Sequence, residues 1–367
     1  MSVEILIGGY IAICISMIGF NIVCIFVFRQ KDKRLDADSN TFIDEVRKQI
    51  ELPKVTSEHQ RYMMKKLRNI NNLMAFDKTM EKLYPQEPEK IQAYMEELSN
   101  VFVYLASEYQ RKSKLQEAYF PYIIKKYRIF QGQDIKVIND SLMELIHNPS
   151  LYCRENALEA LYIIGNADSV VKALEAVDQG SYYHHPKLIT DGLLTFSGDR
   201  DALATLLWEK LPRFSERMQV TILDYFRFSS GSFCERILQL MVSPDRSDEV
   251  AYSCIRYFGK YAYQPAYSYL LDYAEESNSD SWEYAAISAT ALANYPGDRT
   301  VETMKMLLHS RNWYVRYNAS QSLELLGLDY TDLIDIFEGK DRYAEEIMRY
   351  RFDQKHMRER GKRSHDE

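Results

Sequence analysis

Residues 148–165, NPSLYCRENALEALYIIG, align without a gap on residues 310–327, SRNWYVRYNASQSLELLG. The two blocks share Tyr152/Tyr314, Arg154/Arg316, Asn156/Asn318, Ala157/Ala319, Leu161/Leu323 and Gly165/Gly327. Their Ala, Leu and Gly fall at i, i+4 and i+8, and the same spacing recurs at Ala251, Ile255 and Gly259, and more loosely at Thr190, Leu194 and Gly198. The pattern has a physical reading. An alanine lets a neighbouring helix approach, an aliphatic residue one turn later fills the seam, and a glycine is expected to end the helix in a left-handed turn. Gly165, Gly198, Gly231, Gly259, Gly297 and Gly327 then mark the ends of successive units.

Each interval between these glycines holds two helical patterns of about a dozen residues. The spacing predicts Asp199–Lys210 with Ser215–Phe228, Phe233–Val242 with Ser247–Phe258, and Gln264–Glu275 with Trp282–Tyr295. The VR-x-x-A-like opening of the second helix and the closing aliphatic-Gly pair resemble the HEAT-repeat family in its short bacterial form. They stand here as CRENALEAL and VRYNASQSL. The ankyrin TPLHxA and tetratricopeptide WxxLGxxY signatures are missing. The resemblance implies an all-α fold: a right-handed α-solenoid of about six HEAT-like helix pairs over residues 135–329.

Upstream, Ile5 to Phe28 form 24 residues without a formal charge. As a helix this run is about 36 Å long, enough to cross a bilayer with some tilt. It starts MSVE, exceeds a signal-peptide core and has no small-residue cleavage pattern, so it reads as an uncleaved anchor. Arg29, Lys31, Lys33 and Arg34 follow it, while Glu4 precedes it. The positive-inside rule therefore puts residues 1–4 outside and everything from Arg29 onward in the cytosol of a single-pass cell-membrane protein. Residues 29–40 read as a juxtamembrane linker. Residues 41–134 read as a helical cap or stalk, with segments near 40–51, 57–83 and 87–129 and a kink or break at Pro121. Residues 330–360 read as capping helices and 361–367 as a disordered tail; the basic residues Lys355, Arg358, Arg360, Lys362 and Arg363 read chiefly as solvated, with contact to anionic lipid as the other reading.

Composition narrows the function. A net charge of −7 over 367 residues argues against general nucleic-acid binding. Five cysteines without CxxC spacing suit reduced thiols. There are 28 tyrosines, a number that suits extended contact surfaces or the rims of short helices. No Walker A, G-x-S-x-G, HExxH or Rossmann motif occurs, so no catalytic, cofactor or metal residues are expected. His184 and His185 read as surface or capping residues. Trp313, Tyr314, Arg316 and Tyr317, and Tyr257 with Tyr261, are the candidate protein interface, with seam packing as the other reading; for Arg154 and Arg316 the resemblance implies chiefly a bridging role between neighbouring repeats. Gly8, Ala12, Ser16 and Gly19 share one face of the anchor and could admit a partner's helix or a second copy.

These features point to a membrane-tethered scaffold, not an enzyme. It would bind a protein partner, itself an integral membrane protein or its cytosolic domain, with homodimerisation through the span as a further option. The resemblance extends the expectation to accessory subunits of bacterial envelope complexes such as exopolysaccharide glycosyltransferases. It also leaves HEAT-like enzymes of the chromophore lyase or DNA glycosylase type as the alternative.

Overall fold

The N-terminal helix does not stop where its apolar residues do. A computed structural model describes residues 3–110, 114–275 and 281–363, and in it helix α1 (Val3–Ile50) runs unbroken through the polar stretch. The expected linker at 29–40 is therefore helical. It contains no glycine or proline to interrupt the ladder, and Arg, Lys, Gln, Leu and Ala are good helix formers. Packing holds the far end. Ser39 lies 3.2 Å from the Thr79 hydroxyl, Phe42 meets Phe76 edge-on at 6.0 Å, and Asp36 pairs with Lys78 at 2.9 Å. The apolar part is different: its most apolar window has a mean hydropathy of 2.7 and none of it is buried. By length and composition, α1 can cross a membrane.

After α1 come α2 (Ser57–Leu67), α3 (Ile70–Leu83), α4 (Pro88–Glu97), α5 (Ser99–Tyr109), α6 (Lys114–Lys126), α7 (Lys136–Ile146), α8 (Leu151–Ile164) and α9 (Ala167–Gln179). The single helix expected over 57–83 is two, because the Asn69 side chain accepts from the Asn71 amide and starts a new helix there. Thr56 caps α2, its hydroxyl accepting from the His59 amide. Leu98 likewise separates α4 from α5. Pro121 sits inside α6 without ending it. Together with 195–203, residues 1–183 form one compact unit, so the boundary expected at 134 falls within a unit. The reason is visible in the packing: α5 stacks on α7, α6 on α8 and α7 on α9, one continuous arrangement. Buried Asp77 ties α3 to the end of α6, accepting from Tyr119 (2.6 Å), Lys126 (2.7 Å) and Tyr127 (2.5 Å).

The second unit comprises residues 184–194 and 204–367. Its helices are α10 (Pro186–Leu194), most of α11 (Arg200–Lys210), α12 (Glu216–Ser229), α13 (Cys234–Met241), α14 (Asp248–Phe258), α15 (Tyr267–Glu275), α16 (Trp282–Leu292), α17 (Asp298–Leu307), α18 (Trp313–Leu325), α19 (Ile334–Phe337) and α20 (Arg342–Arg363). Within it α13, α15 and α17 pair with α14, α16 and α18, while α10, α12, α14, α16, α18 and α20 stack in sequence. The chain is all-helical, with no strand among the described residues. The predicted helices lie within a few residues of the observed ones. Gln264–Ala266 forms a 3₁₀ turn ahead of α15, and α16 stops three residues before Tyr295. The tail expected to be disordered from 361 is helical through Arg363, and 364–367 lie outside the described residues.

The glycine rule holds only in part. Gly165 and Gly327 are left-handed, at φ +82° and +83°. Gly259 has φ −68° and Gly297 is extended, and neither Gly198 nor Gly231 is left-handed. Gly198 is required for a different reason: a Cβ there would collide with the Gly165 carbonyl oxygen. His184 is buried, contrary to the surface reading, while the His185 ring accepts from the Lys187 amide at 3.2 Å and caps α10.

Two outcomes follow. Gly198→Ala forces two backbones apart and is expected to cost about 1–3 kcal/mol in denaturant unfolding, as overpacking does. His59, hydrogen-bonded to Tyr94 at 2.8 Å, has its imidazole pulled below the ordinary value by burial, with Glu45 opposing. The neutral ring's contribution is complete above the unfolded value of 6.5 and is lost as pH falls through the lowered folded value. Wild-type melting temperature should therefore fall more steeply than that of His59→Gln as buffer is taken from neutral to mildly acidic. Parallel curves would refute this.

Candidate protein-binding surface

The interface residues named from the sequence separate into two groups. Helix α18 opens at Trp313, with the Asn312 side chain accepting from the Tyr314 amide at 2.8 Å. Trp313 is 58% exposed and Tyr314 57%, while Val315 beside them is buried. Tyr317, one turn on, stacks under Trp313 at 4.9 Å, and Tyr314 stacks on Trp282 at the start of α16 at 5.2 Å. Trp313 therefore does not plug a seam.

Helix α20 completes the surface. Tyr343, Ile347 and Tyr350 fall at i, i+4 and i+7 on one face of it. With Trp313 and Tyr317 they line a groove of about 610 Å³ whose polar lining includes Arg311 and Glu346. Tyr343 is 72% exposed and Tyr350 55%. Sequence reading passed over both because this helix was assigned to a polar cap. The i, i+4, i+7 spacing was the available signal.

Arg316 is spent on structure. Its Nε donates to the Ser310 carbonyl and its Nη1 to Asp341 at 3.1 Å, and its guanidinium lies 5.5 Å from the Tyr343 ring. Asp341 in turn accepts from the amides of Tyr343 (3.0 Å) and Ala344 (3.2 Å), capping α20. His309 at 3.0 Å and then Arg316 hold its carboxyl well below the usual range. Arg154 does the equivalent work one block earlier: it is buried and donates to the carbonyls of Asn148 (2.8 Å) and Pro149 (3.0 Å). In both blocks the arginine closes the loop by binding the carbonyl six residues upstream. The shared asparagine is a second structural tie. Asn156 donates to the Ala118 carbonyl at 3.0 Å, and Asn318 to that of Ala286 at 2.8 Å, each on the helix stacked beneath.

Tyr257 leaves the candidate set as well. It is fully buried, and its hydroxyl donates to the Ser230 carbonyl at 2.9 Å while accepting from the Phe233 amide at 3.2 Å. Tyr261 is half-buried, 5.0 Å from the Tyr257 ring, and fills the space a side chain at Gly231 would need. Both belong to the seam. Gly8, Ala12, Ser16 and Gly19 are exposed on α1, and a Cβ at Gly8 or Gly19 would meet nothing within 4 Å. Among the described residues no His, Cys, Asp or Glu side chains group as a metal site.

No family model and no curated protein matches the chain. Among solved structures, human deoxyhypusine hydroxylase in complex with glycerol aligns over 81% of this chain and 95% of its own, at 13% identity and a TM-score of 0.28. A likeness at that score carries no conclusion about activity.

Proposed function

We propose that the chain is a membrane-tethered adaptor, not an enzyme: a right-handed helical-repeat solenoid whose aromatic groove takes a segment of a protein partner. The observation that carries the reading is the set of exposed rings at Trp313, Tyr343 and Tyr350 around one groove. Large rigid aromatics contribute contact area at little entropic cost and recur as the anchors of protein interfaces. Monomeric surfaces seldom gather them without a partner to cover them.

The tether supports the same reading. Arg29, Lys31, Lys33 and Arg34 follow the apolar run, which favours a cytosolic location for the rest of the chain. Confinement near a bilayer raises the effective concentration toward a membrane partner to about the mM range. Since α1 is one helix, the first packed residue, Ser39, stands eleven residues beyond Phe28, a rise of about 16 Å. That distance suits the cytosolic face or domain of an integral membrane protein, such as a subunit of an envelope glycosyltransferase complex.

Trp313→Ala with Tyr350→Ala is expected to reduce recovery of the membrane partner from detergent extracts at least about tenfold, the size of a lost anchor. Because both side chains are exposed, the melting temperature should stay near that of wild type. Deleting residues 1–28 keeps Ser39, Phe42 and Val46 in place, so a folded, soluble protein is expected that loses function through lost co-localisation. Full function of the truncated chain at native abundance would defeat the tether argument, and undiminished capture by the double variant would defeat the groove.

A further inference from the structure

A second groove in the same unit has a different chemistry. The stacked helices α12, α14, α16 and α18 each bury two adjacent residues: Tyr225–Phe226, Cys254–Ile255, Ser288–Ala289 and Ser322–Leu323. The residues that follow these pairs form the row Arg227, Arg256, Thr290, Glu324. It starts with two cations on neighbouring helices and ends with an acid already paired to Arg351 at 3.8 Å. Lys260 lies one turn beyond Arg256. Arg227, Arg256 and Lys260 line a groove of about 500 Å³ that reaches from α12 to Asn318 on α18, and no carboxylate lines it.

The cations are under-neutralised. Arg227 pairs with Asp224 at 3.1 Å, but its buried Nε has no acceptor among the described residues. The side chains of Arg256 and Lys260 show no ion pair or hydrogen bond among those residues, though Lys260 lies 5.2 Å from the Phe228 ring. Three cations converging on one groove repel one another, in a chain whose net charge is −7. The floor is made shallow-walled and close by Gly259, where a Cβ would come 3.2 Å from the Ala291 backbone. Its lining is drawn from four successive helices, with the cations on α12 and at the end of α14 and the neutral polar Thr290 and Asn318 on α16 and α18, an arrangement open along its length to a chain rather than closed around one small anion.

We propose that this groove is a docking site for an extended acidic peptide segment of a partner protein, its carboxylates received by Arg227, Arg256 and Lys260. The site is separate from the aromatic groove and does not require it. The test uses the full chain purified in non-ionic detergent and a dye-labelled octapeptide with glutamate at alternate positions, followed by fluorescence anisotropy. Arg256→Glu with Lys260→Glu should weaken binding by about tenfold or more, Arg256→Lys should retain most of it, and Trp313→Ala should leave it unchanged. Raising ionic strength should weaken it as well. Matching thermal melts show that the variants are folded. The proposal is overturned if charge reversal leaves binding intact or a lysine-bearing control peptide binds equally well. It is also overturned if inorganic phosphate alone occupies the groove more tightly than the peptide.

Discussion

In the second unit α10, α12, α14, α16 and α18 each hide an apolar face against the helix two places along the chain, and much of that unit follows from this constraint. A helix of ten to fourteen residues is marginal alone, since most helical stability in proteins comes from packing an amphipathic face. Stacking α12 on α14, α14 on α16 and α16 on α18 supplies that packing repeatedly. The small residues of the Ala–aliphatic–Gly pattern set how closely the helices approach. Ala251, Ala289 and Ala319 are all fully buried at these contacts.

Apolar contact alone would leave the stack free to slide, because a greasy seam has little preference for register. The polar ties remove that freedom. Asn156 and Asn318 each reach a specific carbonyl on the helix beneath, and Arg154 and Arg316 each close the loop that feeds their own helix. A buried donor left unmatched costs about 1–3 kcal/mol, so a register slip would be penalised at each tie. The residues shared between the two aligned blocks are thus divided between spacing (Ala, Leu, Gly) and register (Arg, Asn).

The succession of packed helix pairs was legible because its spacing is carried by residue types with few alternatives at a tight helix crossing. The limits of the reading have physical causes too. Glycine was read as a left-handed turn throughout, yet Gly198 is needed for a close backbone pass, and no single sequence position distinguishes the two uses. The stretch 29–40 looks like a linker by polarity, but polarity does not break a helix; the packing of Ser39 against Thr79 and of Phe42 against Phe76, on a helix distant in sequence, decides it. Asn69 resembles any helical asparagine until its side chain is seen capping α3. At the candidate surface, Trp313 and Tyr314 could be found from their helix-start position, whereas Tyr257 looked equivalent and is buried.

Exposure and burial of tyrosine follow from where each ring lies along its helix. Tyr257, near the end of α14, has the loop carbonyl of Ser230 within reach of its hydroxyl, so burial leaves no polar atom unpaired. Tyr314, at the start of α18, is exposed, stacking on Trp282 and meeting Trp313 edge-on. Tyr152, 73% exposed at the equivalent place in α8, obeys the same geometry. An array built this way presents aromatic residues wherever a second helix begins with one, and a chain can gain a contact surface by changing residues that the stack itself does not use.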